Sequence, residues 1–237
     1  MNTHDHIVSS FDEDLRKLDN LIAEMGGLAE SQFADCITAL VKRDSELAES
    51  VVVSDKRIDE IEAEVDQHTI TMLALRQPMA EDLRTVITAL RIASLLERIG
   101  DYGKNVAKRT IAITQTPPVG PSRTIARMGN VVQGMIHTVL DAYLQRDANL
   151  ADDVRLRDED VDALHTSLFR ELLTYMMEDP RSISACTHLL FVAKNIERIG
   201  DHATNIAENV HFLVHGSMPD DSRPKDDQSS YTVVTGG

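Results

Sequence analysis

Tryptophan is absent from this chain, and aromatic residues make up only 4% of its 237 positions. A core has to be assembled from Leu, Ile, Val, Ala and Met instead. Glycine and proline are sparse, at 11 and 7 residues, which is too little turn chemistry for the many short strands of a sandwich or barrel. Long helices are favoured. The only cysteines are Cys36 and Cys186. They have no CxxC spacing and no neighbouring histidine pair, so neither a redox motif nor a zinc site is supported, and a reduced cytosolic setting is expected. No stretch approaches the ~20 apolar residues of a membrane span. The opening MNTHDHIVSSFDEDL lacks the basic and apolar regions of a secretory signal. GxGxxG, GKS, GxSxG and HExxH patterns are all missing, which removes the familiar nucleotide-loop, hydrolase and metalloprotease signatures.

Positive charge is also in short supply. The 24 Lys and Arg face 39 Asp and Glu, a formal charge of −15. Nucleic-acid binding depends on basic groups neutralising phosphates, and anionic lipid surfaces attract basic segments in the same way. Neither partner is expected. The membrane is reachable only indirectly, through a partner, and cations and basic protein surfaces suit this chain better.

What the sequence does contain is itself, twice. ERIGDYGKNVAKR from Glu97 to Arg109 recurs as ERIGDHATNIAEN from Glu197 to Asn209. IAEMGG at Ile22 answers IARMGN at Ile125, VKRDSELAE at Val41 answers LQRDANLAD at Leu144, and DKRID at Asp55 answers DEDVD at Asp158. QPM near Pro78 answers DPR near Pro180. The order is identical in both halves, the signature of a duplicated unit.

Each unit reads as three helices. Leu15, Leu18, Ile22 and Met25 step by three or four, and the pattern resumes at Phe33, Ile37, Leu40 and Val41 before pausing at Arg43-Asp44. A second helix is expected from about Glu46 to Leu75, broken by Gln77-Pro78, because the residue before proline is pushed out of the helical region. The third spans about Glu81 to Ile113. The Pro-rich TQTPPVGP, with residues 116–121 as linker, separates a first repeat (1–115) from a second (122–215). The tail 216–237 is polar and without periodicity, and is expected to be disordered. Helices this long, joined by short turns, bury their stripes by lying antiparallel. The expected fold is all-α, two tandem three-helix bundles related by internal duplication; one continuous bundle with mixed helices is the alternative.

On a helical wheel of the third helix, Leu83, Val86, Ile87, Leu90 and Ala93 share a sector with Glu97 and Asp101. In the second unit Ile183, Cys186, Leu190 and Ala193 share it with Glu197 and Asp201. Asp55 and Asp59 make a DxxxD pair on the second helix, and Asp158 and Asp162 do so on the fifth. Like charges at i,i+4 repel, and burial raises that cost steeply. If each DxxxD meets the ExxxD of its own unit, four carboxylates surround one pocket. Such oxygen-only donors suit hard cations such as Fe³⁺, Mn²⁺, Mg²⁺ or Ca²⁺, and bridging carboxylates allow more than one ion. Asn105 and Asn205 are placed to orient them. The plainer alternative is a solvated acidic face with basic partners: Asp101 has Lys104 three residues on, and Glu197 has Lys194 three residues before. His202 is matched by Tyr102, so a packing or surface role is expected for it. Arg98 and Arg198 stand beside the acids, and Gly100 and Gly200 are expected to let helices approach closely.

ERIGDHATNIAE, the paired DxxxD and ExxxD segments and the two three-helix repeats resemble the PhoU family, over about Ile7 to Val214. Gly103 and Val106 depart mildly from the family pattern and touch no candidate ligand. The resemblance implies a non-enzymatic negative regulator of phosphate uptake and of the phosphate-starvation (Pho) regulon, cytoplasmic and commonly a homodimer. It implies contacts with the histidine kinase PhoR and the transporter ATPase PstB. It also implies metal clusters (iron, zinc, manganese or magnesium) held by Asp55, Asp59, Glu97 and Asp101 in one half and by Asp158, Asp162, Glu197 and Asp201 in the other. Two rivals are a metal-independent helical adaptor, and a carboxylate di-iron or ferritin-like protein. The latter needs Glu-x-x-His on two helices, and no ExxH lies near Glu97 or Glu197.

Overall fold

The computed structural model describes residues 3–120 and 122–219. Six α-helices account for nearly all of it: α1 (Thr3–Lys42), α2 (Ser45–Arg76), α3 (Glu81–Thr114), α4 (Ser122–Gln145), α5 (Ala148–Glu178) and α6 (Ile183–His215), with a 3₁₀ turn at Pro180–Ser182. The second and third helices begin and end within a residue of their expected bounds. α1 starts further upstream than its apolar pattern suggests. Of the expected disordered tail, residues 220–237 lie outside the described residues.

The turns explain the sharp reversals. Arg43 and Arg146 take positive φ, 57° and 54°, a left-handed conformation that costs a non-glycine residue about 1–2 kcal/mol. The aspartate that follows each arginine then caps the next helix. Asp44 Oδ1 accepts from the Leu47 N–H at 3.0 Å, and Asp147 Oδ1 accepts from the N–H groups of Asn149 and Leu150 at 2.8 and 3.3 Å. This satisfies amide donors that otherwise have no helical partner. The Arg-Asp pair is therefore a two-residue helix hairpin, written once in each copy.

Within each unit the three helices all touch one another; between units, among the described residues, α1 meets α4 and α3 meets α6, while α2 and α5 stay on the flanks. The result is two three-helix bundles sharing one seam. One continuous apolar core runs through both units: Ile22, Met25, Phe33, Ile92, Leu96, Ile99, Ile125, Val132, Ile196, Ile199 and Ile206 are fully buried in it. Burial of each large aliphatic side chain contributes about 1.5–3 kcal/mol.

The seam has a local two-fold character. A Cβ at Gly26 of α1 would lie 2.4 Å from Leu140 of α4, and a Cβ at Gly129 of α4 would lie 3.0 Å from Ile37 of α1. Gly26 and Gly129 are equivalent in the repeat, as are Ile37 and Leu140, so the two contacts are reciprocal. On the other pair, Tyr102 of α3 stacks on its own counterpart, His202 of α6, with centroids 5.5 Å apart and planes inclined by 14°. Arg91 lies over the Phe212 ring at 5.5 Å and Arg109 over Phe191 at 4.1 Å. Residue numbers thus fall along one helix as they rise along the other: α3 and α6 run antiparallel, crossing at the Tyr102–His202 stack.

Candidate metal centre

Both acidic pairs of the first unit arrive where α2 crosses α3. The close approach is made at Gly100, where a Cβ would come within 3.0 Å of Ile58 Cδ1 and 3.2 Å of Asp55 Oδ1. Asp55 is thereby drawn against α3 and is 3% exposed. Gln32, a buried amide on α1, fastens it there: Nε2 donates to Asp55 Oδ1 at 2.9 Å and to the Gly100 carbonyl at 2.9 Å. Lys104 completes the arrangement. Its ammonium donates to Asp55 Oδ2 on α2 and, at 2.5 Å, to Asp101 Oδ1 on α3. Burial works against that charge, but the Asp101 and Asp55 carboxylates outweigh it and hold Lys104 above the usual lysine range.

The remaining acids respond to this crowding. Glu97, half-buried, has its pKa pushed up to about 7, first by burial, then by the charges of Asp101 and Glu62, a hydrogen bond shared with Asp101, and the charge of Asp59. Asp59 is exposed, and its carboxyl is raised by its residual desolvation and by Asp55, with Lys104 opposing. Glu62 is raised by burial, Asp66 and Asp59, with Arg98 opposing. Asp59 thus feels Asp55 and Asp101, and Glu97 feels Asp101 and Asp59, which joins the four expected residues in one electrostatic chain with Glu62 as a fifth member.

The second unit repeats the placement with different chemistry. Asp158, Asp162 and Glu197 are 2%, 5% and 7% exposed, and Asp201 is half-buried. The Thr204 hydroxyl, with one hydrogen to give, lies 3.1 Å from the Gly200 carbonyl and 3.4 Å from Asp158 Oδ1. Lys194 donates to Glu197 Oε1 at 2.9 Å. His165, 4% exposed, stands on α5 where Glu62 stands on α2. Gly200 differs from Gly100: a Cβ there meets Val132 and Val161 at an ordinary 3.5 Å, so only Gly100 carries the expected close approach.

Other expectations are placed as follows. His202 takes the packing role, stacked on Tyr102, with Arg198 over the same Tyr102 ring at 5.6 Å. Asn105 is exposed and Asn205 is half-buried. Both lysine pairings of the plainer alternative are present. Gln32, Glu62, His165 and Thr204 were not singled out by the spacing. Extending the repeat alignment three residues past DxxxD exposes Glu62 and His165, and Gln32 is a lone amide on the buried stripe that carries Ala29, Phe33 and Cys36.

Among the described residues, no three His, Cys, Asp or Glu side chains are drawn together as a ready-made metal shell. In the first unit the reason is on view: the Lys104 ammonium stands between Asp55 and Asp101. By chemistry the donors still fit a hard cation, being carboxylate oxygens. By electrostatics they fit as well, since Lys104 is a cation already recruited between two helices, and the neighbouring Glu97 still rises to about 7, first through burial and then through the charges of Asp101 and Glu62.

Two fused three-helix units, each presenting an acidic pair on its second helix to an acidic pair on its third, define a duplicated helical scaffold with twin carboxylate clusters. The PhoU domain model matches at residues 22–110 and again at 125–210. The chain belongs to the PhoU family. It is 51% identical over 229 residues to the phosphate-specific transport system accessory protein PhoU homolog of Rhizobium meliloti (strain 1021), covering 96% of this chain and 97% of that one. It is 52% identical over 222 residues to the homolog of the same description in Caulobacter vibrioides (strain NA1000 / CB15N), covering 93% and 96%. The crystal structure of PhoU from Pseudomonas aeruginosa superposes with a TM-score of 0.84 at 41% identity, over 87% of this chain and all of that one. That of the phosphate transport system regulatory protein PhoU from Streptococcus pneumoniae gives 0.82 at 28% identity, over 89% and 99%. A role as a phosphate-transport accessory protein follows from this membership. No helix among the described residues is long and apolar enough to cross a membrane.

Proposed function

We propose that this protein is a non-enzymatic, cytoplasmic negative regulator of phosphate uptake and of the phosphate-starvation response. In this reading it acts as a homodimer on the phosphate ABC transporter, through its ATPase PstB, and on the sensor kinase PhoR, and it carries hard cations at its two carboxylate clusters. The observation that carries the metal part is the concentration of acid at equivalent places in both copies. In one copy burial, and after it the charges of Asp101 and Glu62, lifts Glu97 to about 7; in the other, three carboxylates are buried. The ligands are Asp55, Asp59, Glu97 and Asp101 in one unit and Asp158, Asp162, Glu197 and Asp201 in the other, with iron, zinc, manganese or magnesium as the candidate ions. A bound cation supplies the positive charge that the acids lack, and so stiffens the junctions of α2 with α3 and of α5 with α6.

Two measurements test this. Elemental analysis of purified protein should show less bound metal in the E97Q/D101N variant than in wild type, and an unchanged stoichiometry refutes the first ligand set. In cells, deletion of the gene should raise phosphate uptake and switch on starvation genes in phosphate-replete medium, with restoration by the wild-type chain. Normal repression in the deletion strain refutes the regulatory role.

A further inference from the structure

The two clusters differ at position 104 and its equivalent. In the first unit position 104 is a lysine, and its ammonium bridges Asp55 of α2 and Asp101 of α3. In the second unit the equivalent residue is Thr204, whose uncharged hydroxyl lies 3.4 Å from Oδ1 of Asp158, the counterpart of Asp55. Both residues therefore address the same aspartate, one with a full positive charge and the other with a dipole.

We propose that Lys104 is a displaceable internal counter-ion, so that the first cluster binds a divalent cation only by exchanging it for this ammonium. The second cluster has a threonine at that position, and its ammonium contact is Lys194 on Glu197 Oε1 instead. This inference rests on the metal reading above and adds to it a named residue that sets affinity at one of the two sites. Three observations support it. Lys104 makes its contacts to oxygens on two different helices, which is where an ion joining α2 to α3 must also sit. The lysine side chain is 22% exposed while the Asp55 side chain alone is 4% exposed, so the ammonium has an outlet to solvent and the carboxylate does not. Lys is also a flexible, strongly hydrated point charge on a four-carbon stem, suited to swinging out where an arginine fork would hold on. Gln32 keeps its bond to the other Asp55 oxygen, so the carboxylate stays aimed at α3 when the lysine leaves.

The test uses the full-length protein, stripped of metal with chelator and titrated calorimetrically with Mn²⁺. The D201N background weakens the second cluster and leaves the first to be read. There, K104T should lower the Mn²⁺ dissociation constant about tenfold, the factor equivalent to one lost charge-assisted contact, and K104R should not. K104Q, which keeps a donor for Asp55 without the charge, should follow K104T and guards against a folding defect in the threonine variant. A second readout is thermal melting: metal-free K104Q should melt a few degrees below wild type, and Mn²⁺ should raise its midpoint by more than it raises that of wild type. If K104T and K104Q bind no tighter than the D201N parent, or bind more weakly, Lys104 assembles the site rather than competing for it, and this inference is overturned while the metal reading stands. If wild-type protein binds no Mn²⁺, Mg²⁺, Zn²⁺ or iron at either cluster, the metal reading falls and takes this proposal with it.

Discussion

Replacing an acid at the heart of the first cluster should stabilise the metal-free protein. Glu97 carries a folded-state pKa of about 7 against an ordinary value of 4.5. A carboxyl raised on folding holds its proton in the native state while the unfolded chain has already lost it. Its contribution is therefore neutral below about pH 4.5, becomes destabilising as pH rises through the interval to about 7, and stays destabilising above. The full interval corresponds to an upper bound of about 3 kcal/mol. Glu97 is only half-buried, so solvent screening reduces this to about 1–2 kcal/mol. E97Q is a close mimic of the protonated acid. Urea unfolding with chelator present should find it level with wild type at pH 4.5 and about 1–2 kcal/mol more stable at pH 8. For a chain of this size that is a rise of about 2–8 °C in melting midpoint. The same variant should gain less stability from added Mn²⁺ than wild type does. A variant that is less stable than wild type at pH 8 refutes the account, because it shows Glu97 ionised and usefully paired there.

Three further outcomes follow from the geometry. G100A should destabilise by about 1–3 kcal/mol through overpacking against Ile58 and Asp55, whereas G200A should be neutral or stabilising by up to about 1 kcal/mol from helix propensity; paired urea melts compare them, and equal effects contradict the difference between the two crossings. R43A should cost about 1.5–3 kcal/mol, because the Arg43 guanidinium donates to the Ile113 carbonyl at 3.0 Å, to that of Thr114 at 3.2 Å and to that of Thr116, closing the end of α3; an unchanged melting curve contradicts this. Cys36 and Cys186 are both fully buried, and burial pushes the Cys36 thiol well above its usual range, so an aromatic disulfide reagent should label neither until the protein is unfolded; labelling of native protein on the mixing timescale contradicts the packing.

The helices were legible because nothing in the chain competes with them. Apolar residues keep a helical step for tens of residues, and the interruptions at Arg43-Asp44, Gln77-Pro78 and Arg146-Asp147 are true turns. The duplication then made the acidic pairs stand out, since coincidence does not repeat in register. Less legible was which partner each acid would take. Spacing places Asp101 and Lys104 one turn apart on α3, but only the packing of α2 on α3 reveals that Lys104 also reaches Asp55. Gln32 is far from the cluster in sequence, and its role depends on α1 completing the same junction. Gly100 and Gly200 read alike in the motif; they differ because Ile58 crowds one and valines merely touch the other. Long-range geometry, rather than residue type, separates the members of each pair.

The reciprocal contacts of Gly26 with Leu140 and of Gly129 with Ile37 are those of an isologous interface, in which one patch meets its own copy. A lone three-helix unit bearing that patch would self-associate face to face, so the modern chain has the form of an ancestral dimer sewn into one polypeptide. Fusion changes what evolution can do. Two identical subunits must carry the same side chain at every matching position, and a lysine in one is a lysine in both. Once joined, the halves drift separately. Lysine at 104 with threonine at 204 is a combination that two identical subunits cannot hold.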